Sequence, residues 1–545
     1  MSKGAPSLLL STAIELMSGK STSLQLMERA IKLASLDVNK NVILAAPGEH
    51  AAALKMAAGI DSRRNVGGGQ LSLLAGVPIS IKDNFNVEGA PATAGSSMLS
   101  DYVSAFDSTI VTKLRAADAI PCLRANMDEF GMGSSMLNSA YGPCANPWTP
   151  PGSAKLTPGG SSGGSACAVA SGIAFAAIGS DTGGSVRLPA SFCGVVGFKP
   201  TYGTISRHGL IAYASSMDTP GILAQSVFDA ALLYDVVGGY DANDSNSVGG
   251  SSLQSTLSTS SSSSVLTCAS SLLKYCDSNS APLALHNSQG AARALKSLSG
   301  NCSLKGVVVG VVDEFILAEL SPDTTKAWEG AVQMLVDAGA TVKSVSVPAL
   351  KLALPAYYVL ACAEASSNLS RYDGIRYGAR SGSGRSDFLS EVAATRGLSF
   401  GPEVVKRLLT GTYVLTSDAT ETYYLKALEA RAALRRQFED CFSGQGVTVC
   451  VCPTSPSPPY PLQSPPGSAD LLLNDVFTVP ANLASLPCVS VPVATGRVQD
   501  TGALYPIGMQ VMAAPLAEID VLRAARAMEQ RADFHNLLPS HLCSV

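Results

Sequence analysis

Charge is scarce in this chain, and so are aromatic rings and histidines. Of 545 residues, 15% are charged and 6% aromatic, with two tryptophans, five histidines and a formal net charge of −4. A mildly acidic chain has no broad basic surface with which to hold nucleic acid by itself, so any RNA contact needs a partner or a local patch. The histidines (His50, His208, His286, His535 and His541) show no metal-ligand spacing, so no metal site is expected. The thirteen cysteines are odd in number and lack any C-x-x-C, the nearest pair being Cys450 and Cys452. They read as free thiols of a reducing compartment, not as a disulfide framework or a zinc site. The longest small-apolar run, at about 166–179, is too short and too glycine-rich to span a bilayer. The first twenty residues lack the arginine-rich amphipathic pattern of a transit peptide.

What the chain has instead is glycine and small apolar side chains, in a composition that is 46% hydrophobic and long enough for one large or two to three ordinary domains. They concentrate in GGSSGGSACAVASGIAFAAIGSDTGGSVR at 159–187, where two glycine-serine loops flank a run with small or apolar residues on every face. That run predicts a buried helix over about Ala166–Ile178. Glycine at this density loses much backbone entropy on folding and is explained where main chain approaches something closely. Serine hydroxyls among glycine N–H groups supply both parts of an acyl-transfer site: a nucleophile and donors for a developing oxyanion. Glycine-serine clusters are ordinarily flexible loops, but loops pinned to a buried helix are not linkers.

In chain order, apolar spacing predicts a helical N-terminal layer over 1–65, belonging to the same domain as the catalytic remainder, 66–545. SGKS at 18–21 is not a phosphate loop, because the required glycine is Ile14. Val77–Lys82 reads as a strand ending in lysine; such a lysine is ordinarily solvated, but if buried its pKa falls and its amine can act as a base. Residues 245–264 contain eleven serines in twenty, and a low-complexity surface insert is expected over about 245–300. Beyond it, strands are expected at 306–312, 341–347, 447–451, 488–493 and 507–511, with helices at 323–338, 356–370, 402–440, 472–484 and 516–531. The alternation gives an α/β class with a large central mixed sheet covered by helices on both faces.

Gly159–Gly163 formally matches the G-x-S-x-G nucleophile elbow, but the approach to it, TPPGSAKLTP, is a loop and not the required strand. No histidine is well placed for a triad. A lysine base and more than one serine remain. GGSSGGSA at 159–166, DTGGSVR at 181–187 and VPISIKDN at 77–84 together resemble the amidase signature family, over essentially the whole chain apart from the serine-rich insert. The resemblance implies Ser185 as nucleophile, Ser161 as bridging serine behind a cis peptide bond, and Lys82 as base. It also implies an oxyanion hole from the main-chain N–H groups of Thr182, Gly183, Gly184 and Ser185, and no metal or organic cofactor in this chain.

Within that family, segments 125–148, 364–378 and 474–487 are most similar to the glutamine-hydrolysing subunits of tRNA-dependent amidotransferases. That similarity implies a glutamine pocket in which Arg407 holds the α-carboxylate, Asp475 the α-ammonium, and Tyr357 hydrogen-bonds the ligand. It implies partners as well: a B subunit that activates the tRNA-borne acceptor with ATP and magnesium and carries most tRNA contacts, and a small C subunit. The insert suggests the mitochondrial matrix or a plastid, with a bacterial cytoplasm as the alternative. Two other readings stay open: a free-standing amidase acting on a small or aryl amide, and a catalytically silent scaffold. The charged pocket trio weighs against the first, and the intact Lys82, Ser161 and Ser185 against the second.

Overall fold

The computed structural model describes residues 7–66, 71–248, 267–277, 288–382, 387–498 and 502–538. Ten strands form one sheet: β1 Pro78–Lys82, β2 Ile120–Ala125, β3 Ala176–Asp181, β4 Val196–Lys199, β5 Thr219–Ala224, β6 Val308–Val312, β7 Thr341–Val345, β8 Val449–Pro453, β9 Cys488–Arg497 and β10 Leu504–Ala513. Their order is β2-β1-β3-β5-β4-β9-β10-β8-β6-β7. The two ends, β2-β1-β3 and β8-β6-β7, are parallel, and the middle is antiparallel, so the sheet is mixed as expected. Every residue of β1, β3, β5 and β8 is buried, as strands covered by helices on both faces must be.

Helices Leu8–Met17, Ser23–Ala34 and Glu49–Asn65 make up the N-terminal layer. The second starts with a capping box, Thr22 and Gln25 exchanging side-chain bonds with each other's backbone. Leu9, Leu10, Ala13 and Leu16 enter the main hydrophobic core. The insert differs from its low-complexity reading at its ordered ends. Thr267–Cys276 and Ser288–Ser297 are helices, and Ala269, Leu272, Leu273 and Ala291 are buried in the core. The serine-richest part, 249–266, lies outside the described residues, as do 278–287 and with them His286.

Three further elements depart from expectation, each for a local reason. The helix expected over 166–178 is Gly163–Ala170 only. Gly172, at φ +68°, closes it with an N–H bond to Val169, and the chain turns into β3. Alanine and glycine in β3 give no β-branched signal, and its strand character comes from β1 on one side and β5 on the other. The 402–440 helix is interrupted: Pro402–Val414 ends at Leu415, and a second long helix runs Lys426–Glu439. The 472–484 helix is split into Ser468–Leu473 and Val479–Leu483. Pro480 has no N–H with which to continue an upstream helix, and the interruption is the loop that carries Asp475.

Candidate functional site

The parallel strands β2, β1 and β3 deliver their carboxyl ends to one edge of the sheet, the usual place for a ligand crevice in such sheets. Lys82, at the end of β1, is fully buried. Its Nζ lies 2.8 Å from Ser161 Oγ, 2.9 Å from Ser180 Oγ and 3.3 Å from the Ser180 carbonyl. Burial lowers its pKa to about 7, with Asp128, Asp181 and Asp218 opposing the fall. The strand-end lysine is therefore not the solvated terminus that strand-end lysines usually are, and roughly half of it is an unprotonated amine at pH 7.

Ser161 follows a cis peptide bond from Gly160. A Cβ on Gly160 would lie 2.0 Å from Asp128 Oδ2, so only glycine fits over that carboxylate. Asp128 accepts from the N–H groups of Met136 (3.0 Å) and Asn138 (3.1 Å), and burial raises it to about 6. Ser162 N–H donates to the Ser185 carbonyl at 3.1 Å, which ties the two serine loops together. The link from Ser161 Oγ to Ser185 Oγ is not closed by a hydrogen bond among the described residues. Catalytic hydrogen bonds are often long before substrate binds and tighten in the complex.

The four expected oxyanion donors reduce to three. Gly184 N–H donates to Asp181 Oδ1 at 2.9 Å, and the Gly183 carbonyl on the same peptide unit accepts from Thr478 Oγ1 at 2.6 Å. Both ends of that peptide are engaged, so Gly184 is removed from the hole, whose remaining candidates are the N–H groups of Thr182, Gly183 and Ser185. The Asp181 anchor is itself locked by Arg187 Nε (3.0 Å) and Nη2 (2.9 Å) and by Asn482 Nδ2 (2.9 Å). Burial alone would raise the Asp181 carboxyl, but Arg187, Lys199 and Asn482 outweigh it and hold it at about 2. Thr182 is fixed separately, its hydroxyl donating to Asp218 Oδ1 at 2.7 Å.

The pocket trio converges on this loop. Tyr357, from helix Ala353–Asn368, is buried, and a Cβ on Gly183 would lie 2.5 Å from its hydroxyl, so the ring rests on the oxyanion loop. Arg407, from helix Pro402–Val414, is 6% exposed. Its Nε pairs with Glu403 at 2.8 Å and its Nη1 donates to the Tyr213 hydroxyl at 2.6 Å, leaving Nη2 for a ligand. Asp475 Oδ2 accepts from the Tyr358 hydroxyl at 2.8 Å, and burial raises this carboxyl to about 7, against Tyr358 and Arg407. The Arg407 guanidinium lies 5.3 Å from the Tyr358 ring centre, so one tyrosine spans the two charged residues.

Sequence reading missed Tyr213, Tyr358, Ser180, Asp128, Asp181, Arg187 and Thr478. Asp181 and Arg187 stood in the DTGGSVR string and Asp128 in MDEFG, whereas nothing local distinguished Tyr213. Glu129, also unread, is a buried carboxylate that accepts from the Ser96 hydroxyl and from Gly401 N–H (2.8 Å), joining the Asp128 loop to the start of the Arg407 helix. His208 sits instead against Phe106 and the Thr109 hydroxyl. Among the described residues, no group of three or more His, Cys, Asp or Glu is arranged to ligate a metal, and no helix is long and apolar enough to cross a membrane.

The chain is similar to known proteins over most of its length. The family model described as Amidase matches residues 30–272 and 272–522. The A subunit of glutamyl-tRNA(Gln) amidotransferase from Methanosarcina barkeri is 43% identical over 467 residues, 86% of each chain. The protein of the same name from Chromohalobacter salexigens is 38% identical over 98% of each chain. The crystal structure of the corresponding glutamyl-tRNA(Gln) amidotransferase chain, again the A subunit, from Thermotoga maritima superimposes with a TM-score of 0.69 at 30% identity, covering 95% of this chain and 94% of that one.

Proposed function

We propose, from the premise that this chain belongs to the Amidase family, that it is the glutamine-hydrolysing A subunit of a glutamyl-tRNA(Gln) amidotransferase. The observation that carries the reading is the pairing of two unlike charges, Arg407 and Asp475, beside the Lys82–Ser161 contact. An apolar amide has no use for such a clamp, whereas free glutamine presents a carboxylate and an ammonium to it.

In this reading the chemistry is a proton relay through Lys82, Ser161 and Ser185. Unprotonated Lys82 takes a proton from Ser161 as Ser161 takes one from Ser185, and Ser185 Oγ attacks the side-chain amide carbon of glutamine. The oxyanion is met by the N–H groups of Thr182, Gly183 and Ser185. The proton returns through Ser161 to the departing nitrogen, ammonia leaves, and water resolves the acyl-enzyme by the reverse relay. Lys82 needs no metal to act as base, because burial and the opposing Asp128, Asp181 and Asp218 carboxylates together poise it near neutrality. The relatives are named as A subunits, and the fuller assembly is part of the proposal. A B subunit receives the ammonia and activates glutamyl-tRNA(Gln) with ATP and magnesium, and a small C subunit completes the complex. The relatives named above are archaeal and bacterial, which fits the cytoplasmic alternative; a mitochondrial or plastid placement rests on the serine-rich insert alone.

The test is the complex carrying Ser185→Ala. Glutamine-dependent transamidation of glutamyl-tRNA(Gln) is expected to vanish, while added ammonium still supports it. Failure of the ammonium bypass with the complex intact would show that this chain does more than supply ammonia. Glutaminase retained above roughly a per cent of the parent rate would move the nucleophile elsewhere. Full activity of the lone chain on a neutral aryl amide, with none on glutamine, would favour the free-standing amidase.

A further inference from the structure

Four consecutive residues, Asp128 to Gly131, touch both the serine relay and the helix that carries Arg407. On the relay side, Asp128 N–H donates to the Ser161 carbonyl at 3.3 Å, and a Cβ on Gly131 would lie 3.6 Å from Ser161 Oγ. On the helix side, the Phe130 ring meets Phe400 edge-on with centres 5.8 Å apart, and Tyr372 at 5.2 Å. The Phe130 backbone is left-handed, at φ 51° and ψ 22°, a conformation that bulky residues hold only where their surroundings impose it. Its N–H donates to the Ala94 carbonyl at 2.8 Å.

Glu129 makes the direct link to the helix. Its carboxylate, 3% exposed, accepts from the Ser96 hydroxyl through Oε1 and from Gly401 N–H, at 2.8 Å, through Oε2. Among the described residues it forms no ion pair, and a buried carboxylate without a cation persists only where fixed donors hold it. Gly401 is the N-cap of the helix Pro402–Val414, which has no side-chain cap of its own. A capping box would supply the acceptor for the N-cap N–H from the third helical residue, but that residue is Val404. The carboxylate one position earlier, Glu403, is taken by Arg407 and Lys406. Glu129 therefore supplies the missing acceptor from a distant part of the chain, and places negative charge at the positive end of the helix. A Cβ on Gly401 would lie 2.4 Å from Glu129 Oε2, so this approach requires glycine.

We propose that Glu129 is a positioning residue for substrate specificity: it fixes the start of the Arg407 helix to the loop bordering Ser161, and so sets where the glutamine α-carboxylate lies relative to the nucleophile. The inference rests on the reading of Arg407 as the partner of that carboxylate. Packing against Ala353–Asn368 holds the length of the helix, and Glu129 holds its end. Arg407 is six residues on from Gly401, about 9 Å along the axis, so a pivot at the N-cap is carried to the guanidinium. Its own bonds do not prevent this. The one to Glu403 moves with the helix, and the one to Tyr213 ties it to a segment that does not carry Ser161.

The experiment measures ammonia release by the full chain within its complex, from glutamine and from propionamide, which has no carboxylate to place. In Glu129→Ala the glutamine KM should rise about tenfold, the size of effect a lost helix cap has, while kcat/KM for propionamide changes by less than about twofold. Glu129→Gln keeps an oxygen for Gly401 N–H and should return the glutamine KM to within about threefold of the parent's. Since Glu129 acts through Arg407, adding Glu129→Ala to Arg407→Ala should raise KM no further than Arg407→Ala alone does. Glu129→Asp, one methylene too short to reach both donors, tests the same point where the alanine variant does not fold. An equal loss on propionamide, an additive double variant, or a parental glutamine KM in Glu129→Ala or Glu129→Asp would overturn the proposal and leave the glutamine reading standing. A parental glutamine KM in Arg407→Ala would overturn both.

Discussion

Asp475→Asn removes one charge from the pocket while keeping an oxygen that accepts the Tyr358 hydroxyl, now at 2.8 Å. Leaving the glutamine α-ammonium opposite a neutral amide falls in the range of about 2–5 kcal/mol measured for truncated buried charge pairs. The lower part, about 2–3 kcal/mol, applies here because the Tyr358 contact survives; it is a 30- to 150-fold rise in KM. The effect must also depend on pH. Burial puts the Asp475 carboxyl at about 7, well above an ordinary aspartate, and the ionised form is the one that holds an ammonium. Binding therefore strengthens as pH rises through 7: about nine-tenths of the free enzyme is competent at pH 8 and about one-tenth at pH 6. The parent KM should rise close to tenfold between those pH values and the variant's should not, so the ratio of the two narrows as pH falls. The assay is ammonia release against glutamine at pH 6, 7 and 8, with a small neutral amide as control. Lys82 is lowered to about 7 and works unprotonated, so kcat should fall toward pH 6 in parent and variant alike. A ratio of KM values independent of pH, or an equal loss on the neutral amide, would refute the assignment of Asp475 to the ammonium.

Lys82→Arg is expected to be as inactive as Lys82→Ala in the same assay, since a guanidinium does not give up its proton; an active arginine variant would dismiss the relay. Gly160→Ala places a methyl 2.0 Å from Asp128 Oδ2; it should cost about 1–3 kcal/mol in denaturant titration and abolish glutaminase. Arg187→Met leaves Asp181 buried without its fully buried partner; a loss of about 3–5 kcal/mol is expected, again by denaturant titration.

The sheet and most of its helices were legible because apolar runs and periodicity report burial, and burial is what the sheet needs. The errors have one physical origin. β3 is Ala-Ala-Ile-Gly-Ser-Asp, a sequence with Ile178 as its one β-branched residue that is a strand because its neighbours on both sides are. The Gly184 N–H counted as an oxyanion donor because a sequence does not show that the preceding Asp181 turns back on it. Lys82 could be identified only through its motif, as its burial is decided by β3 and by the loops of Asp128 and Ser161. Tyr358 was one position from a residue that was named; which of two adjacent tyrosines faces Asp475 depends on the phase of a helix that presents both rings to the pocket, 5.1 Å apart at their centres.

The poise of Lys82 is a balance and not a property of burial alone. Desolvation by itself would drive the amine further down; Asp128, Asp181 and Asp218 pull it back to about 7. Those three carboxylates are not equivalent. Asp181 is pinned near 2 by Arg187 and is charged throughout the working range. Asp128 and Asp218 are raised to about 6 by their own burial, so they lose charge just below the pH at which Lys82 gains it. As pH falls through 6, the carboxylates that favour the ammonium are themselves neutralised, which holds back its protonation and stretches the unprotonated amine toward lower pH. The acid limb of kcat should therefore be shallower than a single titration. Asn in place of Asp128, neutral at every pH, should keep the amine unprotonated to lower pH than the parent does. A variant limb that instead shifts to higher pH would mean that Asp128 does not act on Lys82 through its charge.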